Sequence, residues 1–189
     1  VAGHDFDRAV AELLDGRRWA FITSDGWRRR GAIDQLIELC GAPAALISDV
    51  EANPTISNVI RQSAELPDCD VVVALGGGSV IDSAKGVVAL QGLELGKASL
   101  MAHLRDGVPL PEGMSPAPII AIPTTAGTGS EVTRWGTIWG DDGIKFSIND
   151  PKLWPSHAVL DSKLCVSMPR ELTLATGLDA LSHAMEAVW

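Results

Sequence analysis

The sequence predicts an α/β fold built on a doubly wound, mostly parallel sheet. Three observations predict it. Helix-like and strand-like stretches alternate over the first 90 residues, the rhythm of strand, crossover helix and parallel strand. The strand-like runs at 70–75 and 119–122 are almost uninterruptedly apolar, as strands covered on both faces are. Each is followed at once by a glycine- or threonine-rich turn, placed where the carboxyl ends of parallel strands meet ligands.

The elements follow in order. Phe6, Val10, Leu13 and Leu14 share one helical face. Residues 19–23 (WAFIT) read as a strand ending at Ser24-Asp25-Gly26. Ile33, Leu36, Ile37 and Cys40 have helical spacing, and Gly41 stands at the C-cap position. Residues 44–47 read as a second strand. Asn53-Pro54 is a turn, after which Thr55 or Ser57 caps a helix over 56–66. The strand at 70–75 runs into Gly76-Gly77-Gly78-Ser79 and a helix over 80–90. A helical piece at 97–104 and a proline-rich loop precede the strand at 119–122. Residues 133–139 and 144–148 form a hairpin about Asp141-Asp142-Gly143, whose Asp-Gly pair favours a tight turn. Residues 158–160 read as a short strand. Ser167 is the expected cap of a last helix that Pro169 enters at its first turn. That helix is still running at Trp189, and this, with the absence of an initial methionine, reads as a truncated chain.

Composition bounds the function. Of 189 residues, 46% are hydrophobic and 21% charged, which is globular rather than disordered. The net charge of −9, from 15 basic and 24 acidic residues, with no basic stripe, argues against nucleic acid as a partner. No apolar run approaches the ~18 residues of a membrane span, and no signal peptide opens the chain. Three scattered cysteines point to a reducing compartment, read as the cytoplasm, and exclude a CxxC zinc site. The absence of tyrosine excludes a Tyr/Lys acid–base pair within the chain.

Three constellations carry chemistry. In the glycine run, backbone without Cβ atoms can approach a phosphate, and the free N–H groups of the helix start face it. Ser79 adds a hydroxyl. Asp82 and Lys85, on the same helix, read most simply as an intrahelical pair on a solvated face. In the second, the loop after the strand at 119–122 offers Thr124, Thr125, Thr128 and Ser130 with two glycines; its hydroxyls suit ribose, diphosphate or an amide. In the third, Asp179 and His183 lie four apart on one face of the last helix. Carboxylate and imidazole suit a first-row divalent metal, though a site needs three or four ligands. His4, His103 and His157 show no spacing to that pair.

Together these stretches resemble the iron-containing (group III) alcohol dehydrogenases. GGGSVIDSAKG (76–86) is similar to that family's glycine motif, PTTAGTGSEVT (123–133) to its second signature, and ATGLDALSHAMEA (175–187) to its metal-helix signature. The resemblance implies a Rossmann-like dinucleotide-binding domain over 1–163 and, over 164–189, the start of an all-helical metal domain whose remainder supplies two histidine ligands. It implies that Gly77, Gly78 and Ser79 hold the diphosphate of the cofactor with Asp82 close by. Thr124, Thr125 and Thr128 line the nicotinamide side, Lys145 reaches a ribose, and Asn53 lies near the adenosine half. Asp25 contacts the adenosine ribose, where a carboxylate favours a 2′-hydroxyl over a 2′-phosphate. NAD is therefore favoured over NADP, although Arg28, Arg29 and Arg30 follow directly. Asp179 and His183 become catalytic metal ligands for Fe2+ or Zn2+. The implied reaction is hydride transfer between nicotinamide and a small aldehyde or primary alcohol. TRWGTIWGDDG (133–143) resembles a phosphonoacetaldehyde-reducing branch, in which Trp135 lies near the substrate; hairpin packing explains Trp135 and Trp139 equally well. A homodimer is compatible with the family. The alternatives are a stand-alone nucleotide-binding module without catalysis and a dehydroquinate-synthase-like lyase, against which the PTTAGTGSEVT loop argues.

Overall fold

The structure is a computed structural model describing residues 2–3, 5–93 and 96–188; the surface reading of His4 and the helix end at Trp189 lie outside these. The central sheet forms from apolar runs with no polar face to turn to water. β2 (Trp19–Thr23), β4 (Val71–Gly76) and β5 (Ile119–Pro123) are buried at every position. With β3 (Leu46–Ile47) and β8 (His157–Ala158) they make five parallel strands in the order β3-β2-β4-β5-β8. The alternation of side chains divides the core. Ala20, Ile22, Val72, Ala74 and Ala121 face α4 (Ile56–Glu65), α5 (Gly78–Gln91) and α6 (Lys97–Asp106). Phe21, Val71, Val73, Leu75, Ile120 and Ile122 face α1 (Phe6–Leu14) and α3 (Ala32–Cys40).

The chain steps from β2 outward to β3, then back past β2 to β4, so its direction reverses between β2 and β4. Thr23 pairs with Leu75, and Gly76 with Pro123. The three central strands thus end nearly level, and their turns converge on the crevice where open parallel sheets bind ligands.

Several elements differ from expectation. The helix α2 (Asp25–Arg29) has no buried residue and so no apolar period to reveal it. Its stability comes from charge: Asp25 in the first turn and Arg28 and Arg29 in the last complement the helix dipole. The strand expected at 158–160 splits at Val159. β8 pairs with β5, while β9 (Leu160–Asp161) leaves the sheet to pair with β1 (Ala2–Gly3). α5 begins at Gly78, two residues early, because Gly77 serves as its N-cap. Thr55 caps α4 as expected, accepting from the Asn58 N–H at 3.2 Å. Ser167 does not cap the last helix, α7 (Arg170–Glu186), which starts after Pro169; its hydroxyl accepts from the Arg30 guanidinium instead, at 3.2 Å.

The hairpin forms as expected, β6 (Trp135–Trp139) antiparallel to β7 (Lys145–Asn149). It folds back onto α5 because Ile138 and Ile148 are fully buried in the core on that side. The Trp139 N–H donates to the Pro54 carbonyl at 2.9 Å, tying the hairpin to the Asn-Pro turn. Among the described residues no helix is long and apolar enough to cross a membrane.

Candidate functional site

The glycine turn is built for close approach. Gly77 is partly open, and a Cβ there would sit 3.4 Å from the Thr125 side chain. A Cβ on Gly78 would lie 2.7 Å from the Thr128 side chain, and one on Gly76 would strike Val80. The first turn of α5 therefore presents backbone N–H groups beneath the threonine loop, a cradle that a methyl group would fill. Ser79 Oγ accepts from the Asn53 N–H at 3.2 Å, leaving its own proton to donate. Asn53 holds the left-handed conformation, φ 57°, that Asn tolerates better than most residues. The two predicted residues are thus brought together by the turn itself.

The three threonines do not line a single side as the resemblance implies; they go to two cavities. Thr128 lines a cavity of about 450 Å³ together with Asp82, Ser130, Lys145, Asp179 and His183. Thr124 and Thr125 line a second, of about 210 Å³, with Ser24, Trp27, Arg30 and Leu172. Asp25 pairs with Arg29 at 2.7 Å on the exposed side of α2. The other two arginines are also engaged: Arg30 stacks on Trp27 at 4.7 Å, and Arg28 reaches Ser48 at 3.4 Å.

Asp82 and Lys85 do not form a solvated helix face. Gly136 of β6 lies against the Lys85 stem and the Asp82 carbonyl, and the hairpin covers both. Lys85 is fully buried. Its Nζ donates to the Ser130 carbonyl at 2.7 Å, Ser130 Oγ at 3.0 Å and the Trp135 carbonyl at 2.6 Å, with Thr133 Oγ1 at 3.4 Å. Asp82 accepts from Ser130 Oγ–H at 2.5 Å and from the Thr137 N–H at 3.0 Å. Burial pushes the Asp82 carboxyl up, against the lowering effect of those bonds and of Lys85. Burial draws Lys85 down to about 8, against the opposing charges of Asp82 and Glu131.

A lysine whose folded pKa lies below its unfolded one holds fewer protons folded than unfolded between the two values. Its contribution to stability therefore rises with pH from about 8 to 10.5. At about 1.4 kcal/mol per pKa unit the rise is roughly 3 kcal/mol. Between pH 7.5 and 10 the urea midpoint of the natural protein should rise relative to that of Lys85→Met, over and above the opposing fall from the three cysteines that burial pushes up; equal slopes would contradict the buried charge.

Asp179 and His183 project from α7 with Oδ2 and Nδ1 3.9 Å apart, both partly exposed. Among the described residues no group of three or more His, Cys, Asp and Glu converges. The pair fits a first-row divalent metal in chemistry and supplies only part of a shell. α7 is seated at Gly127, where a Cβ would meet the Thr176 carbonyl oxygen at 2.7 Å. Trp135 is half exposed and lines the larger cavity, so it faces the site rather than the core. His103 bridges the Val108 carbonyl and the Asn149 N–H, away from the pair. Ser130, Thr133 and Thr137 also line the larger cavity; only the hydroxyl content of their stretch hinted at them.

Comparison with known proteins bears on the family and the fold. The family profile described as "Iron-containing alcohol dehydrogenase" matches residues 3–162. A 4-hydroxybutyrate dehydrogenase of Cupriavidus necator is 37% identical over 182 residues, covering 95% of this chain and 47% of that protein. A 1,3-propanediol dehydrogenase of Klebsiella pneumoniae is 36% identical over 186 residues, 93% of this chain and 46% of its own. Among solved structures, a sulfoacetaldehyde reductase from Bifidobacterium kashiwanohense in complex with NAD+ superposes with a TM-score of 0.87 at 31% identity. It is matched over 100% of this chain and 50% of that one. The chain spans about half the length of these relatives.

Proposed function

Because this chain belongs to the iron-containing alcohol dehydrogenase family, we propose that it carries the cofactor half, and two metal donors, of a metal-dependent alcohol dehydrogenase. The observation that carries the reading is the larger cavity, where Thr128 beside the glycine turn, Lys145 and the Asp179–His183 pair meet. Gly77, Gly78 and Ser79 bind the dinucleotide diphosphate through backbone N–H groups and the Ser79 hydroxyl, and Asn53 fixes that hydroxyl. Thr128 and Lys145 serve the nicotinamide side. Thr124 and Thr125, with Trp27 and Arg30, border a cavity of the right chemistry for the adenosine end.

NAD is the preferred cofactor, because Asp25 stands at the end of β2 where a ribose hydroxyl is read. Its pairing with Arg29 softens that preference and leaves NADP usable. Asp179 and His183 would hold Fe2+ or Zn2+, with the remaining ligands from outside these residues. Bound there, the metal supplies Lewis-acid polarisation of a carbonyl oxygen. The substrate is a small aldehyde or primary alcohol, phosphonoacetaldehyde among those to test. We place the enzyme in the cytoplasm on its three unbridged cysteines, Cys40, Cys69 and Cys165, and a homodimer is part of this reading.

The test uses the full natural protein, purified without metal and then loaded with Fe2+ or Zn2+. NADH oxidation is followed with butanal, 3-hydroxypropanal, sulfoacetaldehyde and phosphonoacetaldehyde. Metal-dependent turnover with at least one is the expected result. NADH binding without turnover under any metal would favour a nucleotide-binding module.

A further inference from the structure

Lys85 stands apart from every residue assigned above. It lines neither cavity, yet it is the fully buried cation behind the wall of the larger one. Its three N–H donors meet four acceptors on two other segments: Ser130, in the 3-10 turn after the threonine loop, and Thr133 and Trp135 at the entry to β6. Ser130 passes the restraint on, because its hydroxyl donates to Asp82 Oδ1. Asp82 Oδ2 in turn accepts from the Thr137 N–H in the next stretch of β6. One ammonium thus joins α5, the loop and the hairpin. Five residues of this network, Asp82, Ser130, Thr133, Trp135 and Thr137, line the cavity that also holds Asp179 and His183.

Stability alone is a poor reason for such a group. A buried charge carries a desolvation cost that an apolar side chain of similar volume avoids. What the ammonium provides and a methylene chain cannot is direction: it fixes two backbone carbonyls and orients the Ser130 hydroxyl, whose proton would otherwise be free to rotate. Lowered basicity from burial is consistent with a group held for its contacts rather than its solvation.

We propose that Lys85 is a positioning residue, whose ammonium holds the Asp82 carboxylate and the hydroxyls of Ser130 and Thr133 in one arrangement facing the reaction cavity. The inference rests on the dehydrogenase reading. It assigns Lys85 an effect on turnover out of proportion to any effect on cofactor binding, since the diphosphate cradle at Gly78 and Ser79 lies about two helical turns earlier in α5.

The experiment uses the full natural protein loaded with Fe2+ or Zn2+, and NADH with the best aldehyde from the panel above. Lys85→Met keeps the length of the stem and removes the charge. Its kcat should fall about 10- to 100-fold, the scale that misplacing groups around a reacting centre by about an ångström produces, while the Kd for NADH changes less than about threefold. Lys85→Gln keeps an N–H donor and should recover part of the kcat. Hydrogen exchange should quicken over residues 128–137 in Lys85→Met but stay unchanged over β4. Should Lys85→Met fail to fold, the kcat and exchange of Lys85→Gln decide, with a partial loss and local loosening expected. Equal kcat in all three proteins, or Met and Gln equally impaired with exchange faster throughout the sheet, overturns the proposal. A natural protein inert toward every aldehyde brings down the dehydrogenase reading and this inference with it; an active one indifferent to Lys85 brings down the inference alone.

Discussion

Replacing Asp179 and His183 together by alanine in the full natural protein should empty its metal site and lower turnover more than about 10³-fold, while NADH still binds. Loss of a single oxyanion donor already costs roughly 10²- to 10³-fold in well-studied enzymes, and here the whole electrophile is removed. The two side chains lie one turn apart and share one cavity wall, which places them to act on one ion as proposed. Both side chains are partly exposed in this chain and take no part in packing the sheet or the glycine turn. The sheet and the glycine turn should therefore survive. Metal content by mass spectrometry, turnover, and NADH fluorescence titration together check the result. Retention of stoichiometric metal by the double variant would remove the pair from the site.

Gly78→Val should weaken NADH binding by more than about tenfold, or about 1.4 kcal/mol, and should also destabilise the fold. The second effect complicates the first, because a Cβ at Gly78 lies 2.7 Å from the side chain of Thr128 before any phosphate is present. Pairing the change with Thr128→Ala separates the two. Removing the threonine hydroxyl and methyl leaves only the Cβ contact at 3.1 Å and should restore much of the melting temperature, yet the valine still stands over the first N–H groups of α5. Affinity should stay below that of Thr128→Ala alone, which lacks the same proposed cofactor contact, while stability returns. If NADH affinity recovers along with stability, the glycine serves the packing of the loop and not the approach of a phosphate. The φ of Gly77, −71°, is open to any residue, so the demand for glycine at this turn is one of space and not of backbone conformation.

The parts of the fold that could be read from the sequence are those where one physical effect dominates. β4 and β5 are apolar runs buried on both sides, with no polar face that would suit another element. Thr55 caps α4 because a threonine in extended backbone before an amphipathic helix has little else to do. The glycine turn and the Asp179–His183 spacing were visible because local geometry suffices to bring their atoms together. α2 was hidden because its order comes from charges placed at its ends, without an apolar stripe. The Ser167 cap failed because a residue distant in sequence, Arg30, claimed the hydroxyl. Lys85 shows the same limit most clearly. On its own helix it has an acidic neighbour one turn away and looks wet; only the hairpin, arriving 50 residues later, dries it.

Gly127 joins the threonine loop to the last helix. The loop proposed to face the dinucleotide and the helix proposed to offer a metal its donors touch where a hydrogen atom replaces a methyl group against the Thr176 carbonyl oxygen. Asp179 stands one turn beyond that contact and His183 two. On the proposed function, the threonine loop and the donor pair are set relative to one another at this single seat, and any residue larger than glycine would shift both at once.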